Sequence, residues 1–218
     1  KEGLLKLQES FPVLKLSNRE LSDIYFMVRM DCPELFYSVK FSYRYYPDST
    51  MVELVPEYLF TKDRIKEHRQ AMQSRVKKLA LQAAKLDEKG KELFIHDFIV
   101  NNVKYDKLKK EYSHEIIGAL GNGVAVCEGM AKAVKILCDE LGIWCIVALS
   151  EANPDKGIKY RHAWNVIRID GTYYHLDATF DNTLSKGDVV RYDYVNLSDK
   201  QVFRDHEPVI WRVPECAE

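Results

Sequence analysis

The chain has 218 residues, 46% apolar and 30% charged, a balance that gives one sizeable folded unit and excludes wholesale disorder. Lysine and arginine number 32 against 33 aspartate and glutamate, so no global field recruits nucleic acid or an anionic membrane. The longest apolar run, 143–149, is far short of the roughly 20 residues that span a bilayer, and the scattered cysteines (Cys32, Cys127, Cys138, Cys145 and Cys216) include no CxxC, which argues against a disulfide framework or a closed zinc site.

Ser17-Asn18-Arg19-Glu20 has the form of a capping box and predicts a helix running to about Met30, stopped ahead of Pro33. Stretches 37–46 and 51–60 are rich in Val, Phe and Tyr, and Pro47-Asp48-Ser49-Thr50 between them carries turn chemistry, so they read as a β-hairpin. A charged helix follows from Thr61 to about Lys85, its apolar stripe passing through Ile65, Met72, Val76, Leu79 and Ala83. The charge run 62–78 then faces solvent. The next helix, about 87–103, buries Leu93, Phe94, Ile95, Phe98, Ile99 and Val103, with His96-Asp97 as a structural hydrogen-bonding pair. His68 and His114 read as solvated.

Gly121-Asn122-Gly123 marks a loop. Helical period runs from Cys127 to Leu141, with Met130, Val134, Leu137 and Cys138 on the buried side and Gly142 as the stop. Residues 143–150 form a strand buried on both faces. Two further strands, 161–169 and 172–179, are joined by Asp170-Gly171, a strong signal for a type I′ turn. Ser198-Asp199-Lys200-Gln201 is a second capping box.

That hairpin permits a deduction. A two-residue turn sets Ile169 against Thr172, hence Trp164 against Asp177 and His162 against Thr179. His162, Trp164 and Asp177 then share one face, and His162 and Asp177 are diagonal neighbours within side-chain reach. His175 lies on the same face. A histidine backed by a carboxylate is a general base held in one tautomer. Cys127 is the candidate nucleophile, because backbone amides and the helix dipole at a helix start favour a thiolate. Its own N–H is placed to face a developing oxyanion. Taken singly, Cys127 fits a buried small residue, His162 a satisfied structural histidine and Asp177 a turn cap; chain order and shared geometry are what group them. The same three residues as ligands of a catalytic metal are a further reading.

Gly123-Val124-Ala125-Val126-Cys127-Glu128-Gly129-Met130-Ala131, then His162-Ala163-Trp164-Asn165, then Tyr174-His175-Leu176-Asp177-Ala178-Thr179-Phe180 resemble the three signature blocks of the transglutaminase-like superfamily, which shares the papain-like cysteine protease core. The likeness covers roughly 88–207, taking in Val103-Lys104-Tyr105-Asp106 upstream and Asp205-His206 downstream; the Pro33–Phe36 region is similar to the front extension of bacterial members. Met130 and Phe180 depart from it, standing where relatives commonly show an aromatic and a tryptophan. The resemblance implies Cys127 as nucleophile, His162 as base and acid, and Asp177 as orienter, with Trp164, Glu128, Tyr105 and His175 around the cleft and Tyr105 as a candidate second oxyanion donor.

The expected fold is α+β: a helix bearing Cys127 at its N-terminus packs on an antiparallel sheet, behind an extension of helix, β-hairpin and helix. The expected division is 1–86 for that extension and 87–218 for the catalytic part. The expected activity is cysteine-dependent acyl transfer or hydrolysis at peptide or glutamine-type amides, through a thioester and without cofactor or metal. The alternative is a catalytically silent peptide- or protein-binding module. A peptide or protein substrate is the expected partner, with no nucleic acid and no membrane span. Location and oligomeric state carry no signal, and export would require a leader ahead of Lys1.

Overall fold

A computed structural model of the protein describes residues 10–187 and 189–217. In the front third, β1 (Phe11–Leu14), β2 (Ser38–Arg44) and β3 (Met51–Tyr58) form an antiparallel sheet in the order β1-β3-β2. The β2–β3 hairpin agrees with the turn chemistry. Strand β1 was not expected, because four residues containing a proline give little strand signal; as an edge strand it tolerates Pro12. Helix α1 (Asn18–Asp31) starts on the foreseen box, with the Ser17 N–H donating to Glu20 Oε2 at 2.9 Å and the Glu20 N–H to Ser17 Oγ at 3.2 Å.

Helix α2 (Lys62–Ala83) buries the five stripe residues named from the sequence. Helix α3 (Glu88–Asn102) corrects the expected face: Ile95 and Ile99 are buried as foreseen, whereas Leu93, Phe94 and Phe98 are half-buried and the polar Glu92 and His96 are fully buried. Burial is affordable for His96 because Asp97 Oδ1 at 3.0 Å and Asp181 Oδ2 at 3.1 Å occupy its two nitrogens.

The central unit sets α4 (Cys127–Glu140) against β6 (Cys145–Ser150), β7 (His162–Ile169) and β8 (Thr172–Leu176), antiparallel in that order. Met130, Ala133, Val134, Leu137 and Cys138 of α4 are buried to 0% exposure. Each large apolar side chain so buried contributes about 1.5–3 kcal/mol. Asn165 pins the layers together, its Nδ2 donating to the Ala131 carbonyl at 3.0 Å. Ahead of α4, β4 (Lys104–Tyr105) pairs parallel with β5 (Val124–Ala125), which carries Tyr105 alongside the start of α4. Two short helices follow, α5 (Ala178–Leu184) and α6 (Asp199–Val202). Among the described residues no helix is long and apolar enough to cross a membrane.

The β7–β8 register is the one counted from the turn, from Ile169 opposite Thr172 to Asn165 opposite Leu176. Asp170 and Gly171 both have positive φ, 49° and 83°. The length of β8 is corrected: it ends at Leu176, not Thr179, because Asp177 turns the chain and caps α5.

Candidate active site

Cys127 opens α4. Its placement comes from the backbone around it: Val126 N–H donates to the Ser113 carbonyl at 3.0 Å, and Met130 N–H to the Val126 carbonyl at 3.0 Å. Segment 111–114 crosses so closely over the first turn that a Cβ on Gly129 would lie 2.3 Å from the Ser113 oxygen. Glycine there is a packing requirement, and it lets Ser113 fix where the helix begins. First-turn amides of a helix lack intrahelical acceptors.

His162 begins β7 and Asp177 follows β8. The diagonal relation survives the shortened strand: His162 Nε2 stands 2.5 Å from Asp177 Oδ2. The other oxygen, Oδ1, accepts from the Thr179 and Phe180 amides at 2.9 and 3.0 Å. One carboxylate thus caps a helix and grips an imidazole. Burial opposes charge on both partners, but their mutual attraction outweighs it. Asp177 is held well below the usual carboxylate range by His162 and His206, and His162 is held up to about 10 by Asp177, with Cys127 adding to the effect. With Nε2 taken, Nδ1 is the ring nitrogen left for the sulfur.

The ring is also packed in place. Trp164 stacks on it at 5.7 Å and 16°, and Phe180 meets it edge-on at 4.9 Å. Trp164 is itself steered, its indole N–H donating to His175 Nδ1 at 2.9 Å. That bond requires His175 to carry its hydrogen on Nε2, which faces Asp199 Oδ1 at 2.7 Å. His175 therefore fixes Trp164, which in turn stacks on His162.

His206 carries no role in the sequence reading, although it belongs to the resemblance. Its Nε2 lies 2.9 Å from the same Asp177 Oδ2 that His162 uses, and its Nδ1 lies 2.7 Å from Asp205 Oδ1. It is buried, with 6% exposure. It lies 29 positions beyond Asp177, past both α5 and α6, so no periodicity could have paired them. Donor atoms of His162, Asp177 and His206 converge within 4.8 Å, as do those of His175, Asp199 and Cys216. The 2.5 Å between His162 and Asp177 is a hydrogen-bond separation; ligands of one tetrahedral ion at roughly 2.05 Å stand about 3.3 Å apart.

Glu128 lies beside Cys127 but turns into a charged cluster. Lys132 Nζ contacts it at 2.8 Å and Glu115 at 2.9 Å; Arg29 of α1 bonds Glu115 and approaches Glu128 at 3.6 Å. Despite burial, Lys132, His114 and Arg29 hold Glu128 down to about 2. His114 corrects its expectation: it is no free surface histidine, since its Nδ1 bonds Glu128 Oε2 at 3.0 Å. Both line a cleft of about 480 Å³ that runs past Cys127, with Tyr105, Tyr160 and Phe26 as aromatic walls. Tyr105 is 37% exposed there, and partial desolvation followed by the neighbouring Cys127 raises its phenol. Phe26 comes from α1, so the front extension forms part of the cleft.

A family model described as the Transglutaminase-like superfamily matches residues 77–178, a span that contains Cys127, His162 and Asp177. No curated protein matches the chain. Among solved structures, the chain is similar to one described as "a TGase" (12% identity, 88% of this chain and 56% of that one, TM-score 0.43). It is similar also to a "Putative Cysteine Protease from Cytophaga hutchinsonii" (19%, 65% and 62%, TM-score 0.41). A third is the periplasmic domain of TgpA from Pseudomonas aeruginosa bound to ethylmercury (15%, 63% and 59%, TM-score 0.37). The chain thus spans 56–62% of the length of these structures.

Proposed function

From a chain whose residues 77–178 match the transglutaminase-like superfamily, we propose a cysteine-dependent enzyme that transfers or hydrolyses acyl groups at peptide or glutamine-type amides. The observation that carries this reading is the imidazole of His162, bound through Nε2 to Asp177 and adjoining a sulfur at the start of α4. Cys127 is the nucleophile, His162 the proton carrier and Asp177 the orienter. The division at 86/87 is proposed as functional: 87–218 carries the three groups, and 1–86 supports them through Phe26 and Arg29.

The thiolate of Cys127 attacks the amide carbonyl and an S–C bond forms. First-turn amides of α4, with the dipole behind them, receive the oxyanion. The C–N bond then breaks, His162 gives its proton to the leaving amine, and the acyl group remains as a thioester. Water or an amine attacks the thioester, passes its proton to His162 and expels the thiolate. Asp177 keeps the ring in the tautomer that presents Nδ1 and stabilises its charge.

The test is selective alkylation. At mildly acidic pH, iodoacetamide should modify Cys127 far faster than the half-buried Cys32, and His162→Ala should remove that advantage. Mass spectrometry of a trapped thioester would establish turnover. Wild-type turnover in Cys127→Ala would end the proposal, and equal alkylation of Cys127 and Cys32 would leave a peptide-binding cleft.

A further inference from the structure

The charges around the cleft are unevenly answered. Arg161 and Glu151 close on each other, Nε to Oε2 at 2.8 Å and Nη2 to Oε1 at 2.6 Å. Glu128 is answered from behind by Lys132, Arg29 and His114, and with Glu115 included that cluster holds two acids against two permanent cations. Among the described lining residues this leaves Lys109 and Lys159, neither of which pairs with a carboxylate.

Lys109 is aimed by the backbone. Its φ is +50°, a left-handed conformation that a lysine enters only when its surroundings impose it. Asp106 builds the imposing turn: its carboxylate accepts from the Leu108 amide at 2.9 Å, the Lys110 amide at 3.0 Å and Ser113 Oγ at 2.5 Å. Ser113 is also the residue that sets the start of α4 through Val126, so the loop presenting Lys109 and the helix presenting Cys127 are registered to one anchor. The Lys109 ammonium projects over the ring of Tyr160, 3.1 Å from its centroid. Tyr160 comes from the loop between β6 and β7 and lines the same cleft. A ring face holds an ammonium less firmly than a carboxylate does. Lys109 is therefore in place and open to a better partner.

We propose that the cleft selects acyl donors carrying a carboxylate near the scissile amide, with Lys109 and Lys159 receiving that charge and Lys109 leaving the Tyr160 ring to do so. The substrate class is an acidic peptide. This rests on Cys127 being the nucleophile, and the two readings fail differently.

Iodoacetate and iodoacetamide alkylate by the same displacement, sulfur bonding to carbon as iodide leaves, and differ by one negative charge. The ratio of their rates at Cys127, read by peptide mass spectrometry at low ionic strength, cancels the thiol's own reactivity. The ratio should fall about tenfold in the double variant Lys109→Gln, Lys159→Gln. In the wild-type protein it should fall steeply as salt is raised, since exposed charges are screened over about 10 Å at 0.1 M. Triglutamate should protect Cys127 from iodoacetamide at lower concentration than trilysine. A ratio unchanged in the double variant, or better protection by trilysine, overturns the proposal. Should Cys127 react with iodoacetamide no faster than Cys32, the nucleophile reading is what fails, and the lysine dependence of the ratio still reports the charge of the cleft.

Discussion

Asp177 Oδ2 receives two imidazoles at once, His162 Nε2 at 2.5 Å and His206 Nε2 at 2.9 Å, while Oδ1 receives two backbone amides. The carboxylate that orients the ring is thus itself fixed on every side, and its rotation is not available as a source of disorder in the site.

Asp177→Asn keeps an oxygen for the Thr179 and Phe180 amides but removes the charge that sets the tautomer of His162. Turnover should fall severely, a loss that reaches ~10⁴-fold in serine triads, and the melting temperature should drop by the share that the His162 ion pair contributes. Asp177→Ala should lose the same activity and in addition about 1 kcal/mol of stability as the α5 cap disappears. Equal melting curves for the two variants would contradict the dual role.

Stability should decline on the alkaline side. The folded value of His162 lies above its ordinary 6.5, so its contribution is complete below about pH 6.5 and is lost as pH rises through about 10. Asp177 lies below its ordinary 3.8, so its contribution holds above that pH and is lost in strong acid. These describe one ion pair from its two ends and are not added. Urea midpoints measured from pH 5 to 10 should fall more in wild type than in His162→Gln; parallel curves would refute the assignment.

His206→Leu removes one bond to Asp177 and one to Asp205. A hydrogen bond to a charged group is worth about 1.5–3 kcal/mol, so kcat should drop roughly ten- to hundredfold, less than in Asp177→Asn. KM should stay near wild type, because His206 is buried away from the cleft lining. A rise in KM with kcat unchanged would place its action elsewhere.

Arg29→Met leaves Glu115 and Glu128 with Lys132 as their one permanent cation, beside the His114 bond to Glu128. Breaking a buried charge cluster on one side costs about 3–5 kcal/mol. The variant should unfold at markedly lower urea. Its residual folded form should alkylate at Cys127 more slowly, since Glu128 adjoins that residue in the first turn of α4. Unaltered stability would show that α1 contributes nothing through this contact.

Gly129→Ala places a methyl 2.3 Å from a backbone oxygen that cannot rotate away. Overpacking of this kind costs about 1–3 kcal/mol. The shift should appear as a lower melting temperature together with slower Cys127 alkylation, because relief requires Ser113 and the start of α4 to separate.

Much of this geometry was readable because local rules generated it. The Asp170-Gly171 turn fixes register, and register alone makes His162 and Asp177 diagonal neighbours. The Ser17 box fixes the start of α1. What escaped is contact between segments that no period connects. His206 reaches Asp177 from an irregular segment, and Arg29 meets Glu115 across 86 residues. The burial of Glu92 and His96 on α3 escaped too, since polar residues enter a core only when distant partners such as Asn196 and Asp181 receive them. The expected run of β8 to Thr179 failed for the opposite reason: a local cap, Asp177 on α5, overrode strand propensity.

Phe26 gives α1 a share in the cleft, its ring lying under the Arg161 guanidinium that pairs with Glu151. Occupancy of the cleft and docking of that helix are therefore thermodynamically linked. Any ligand seated against Phe26 tightens the hold of α1 on the core, and by reciprocity whatever pulls α1 away weakens that ligand by the same factor. The rate of a protease nick in α1 would then report whether the cleft is filled.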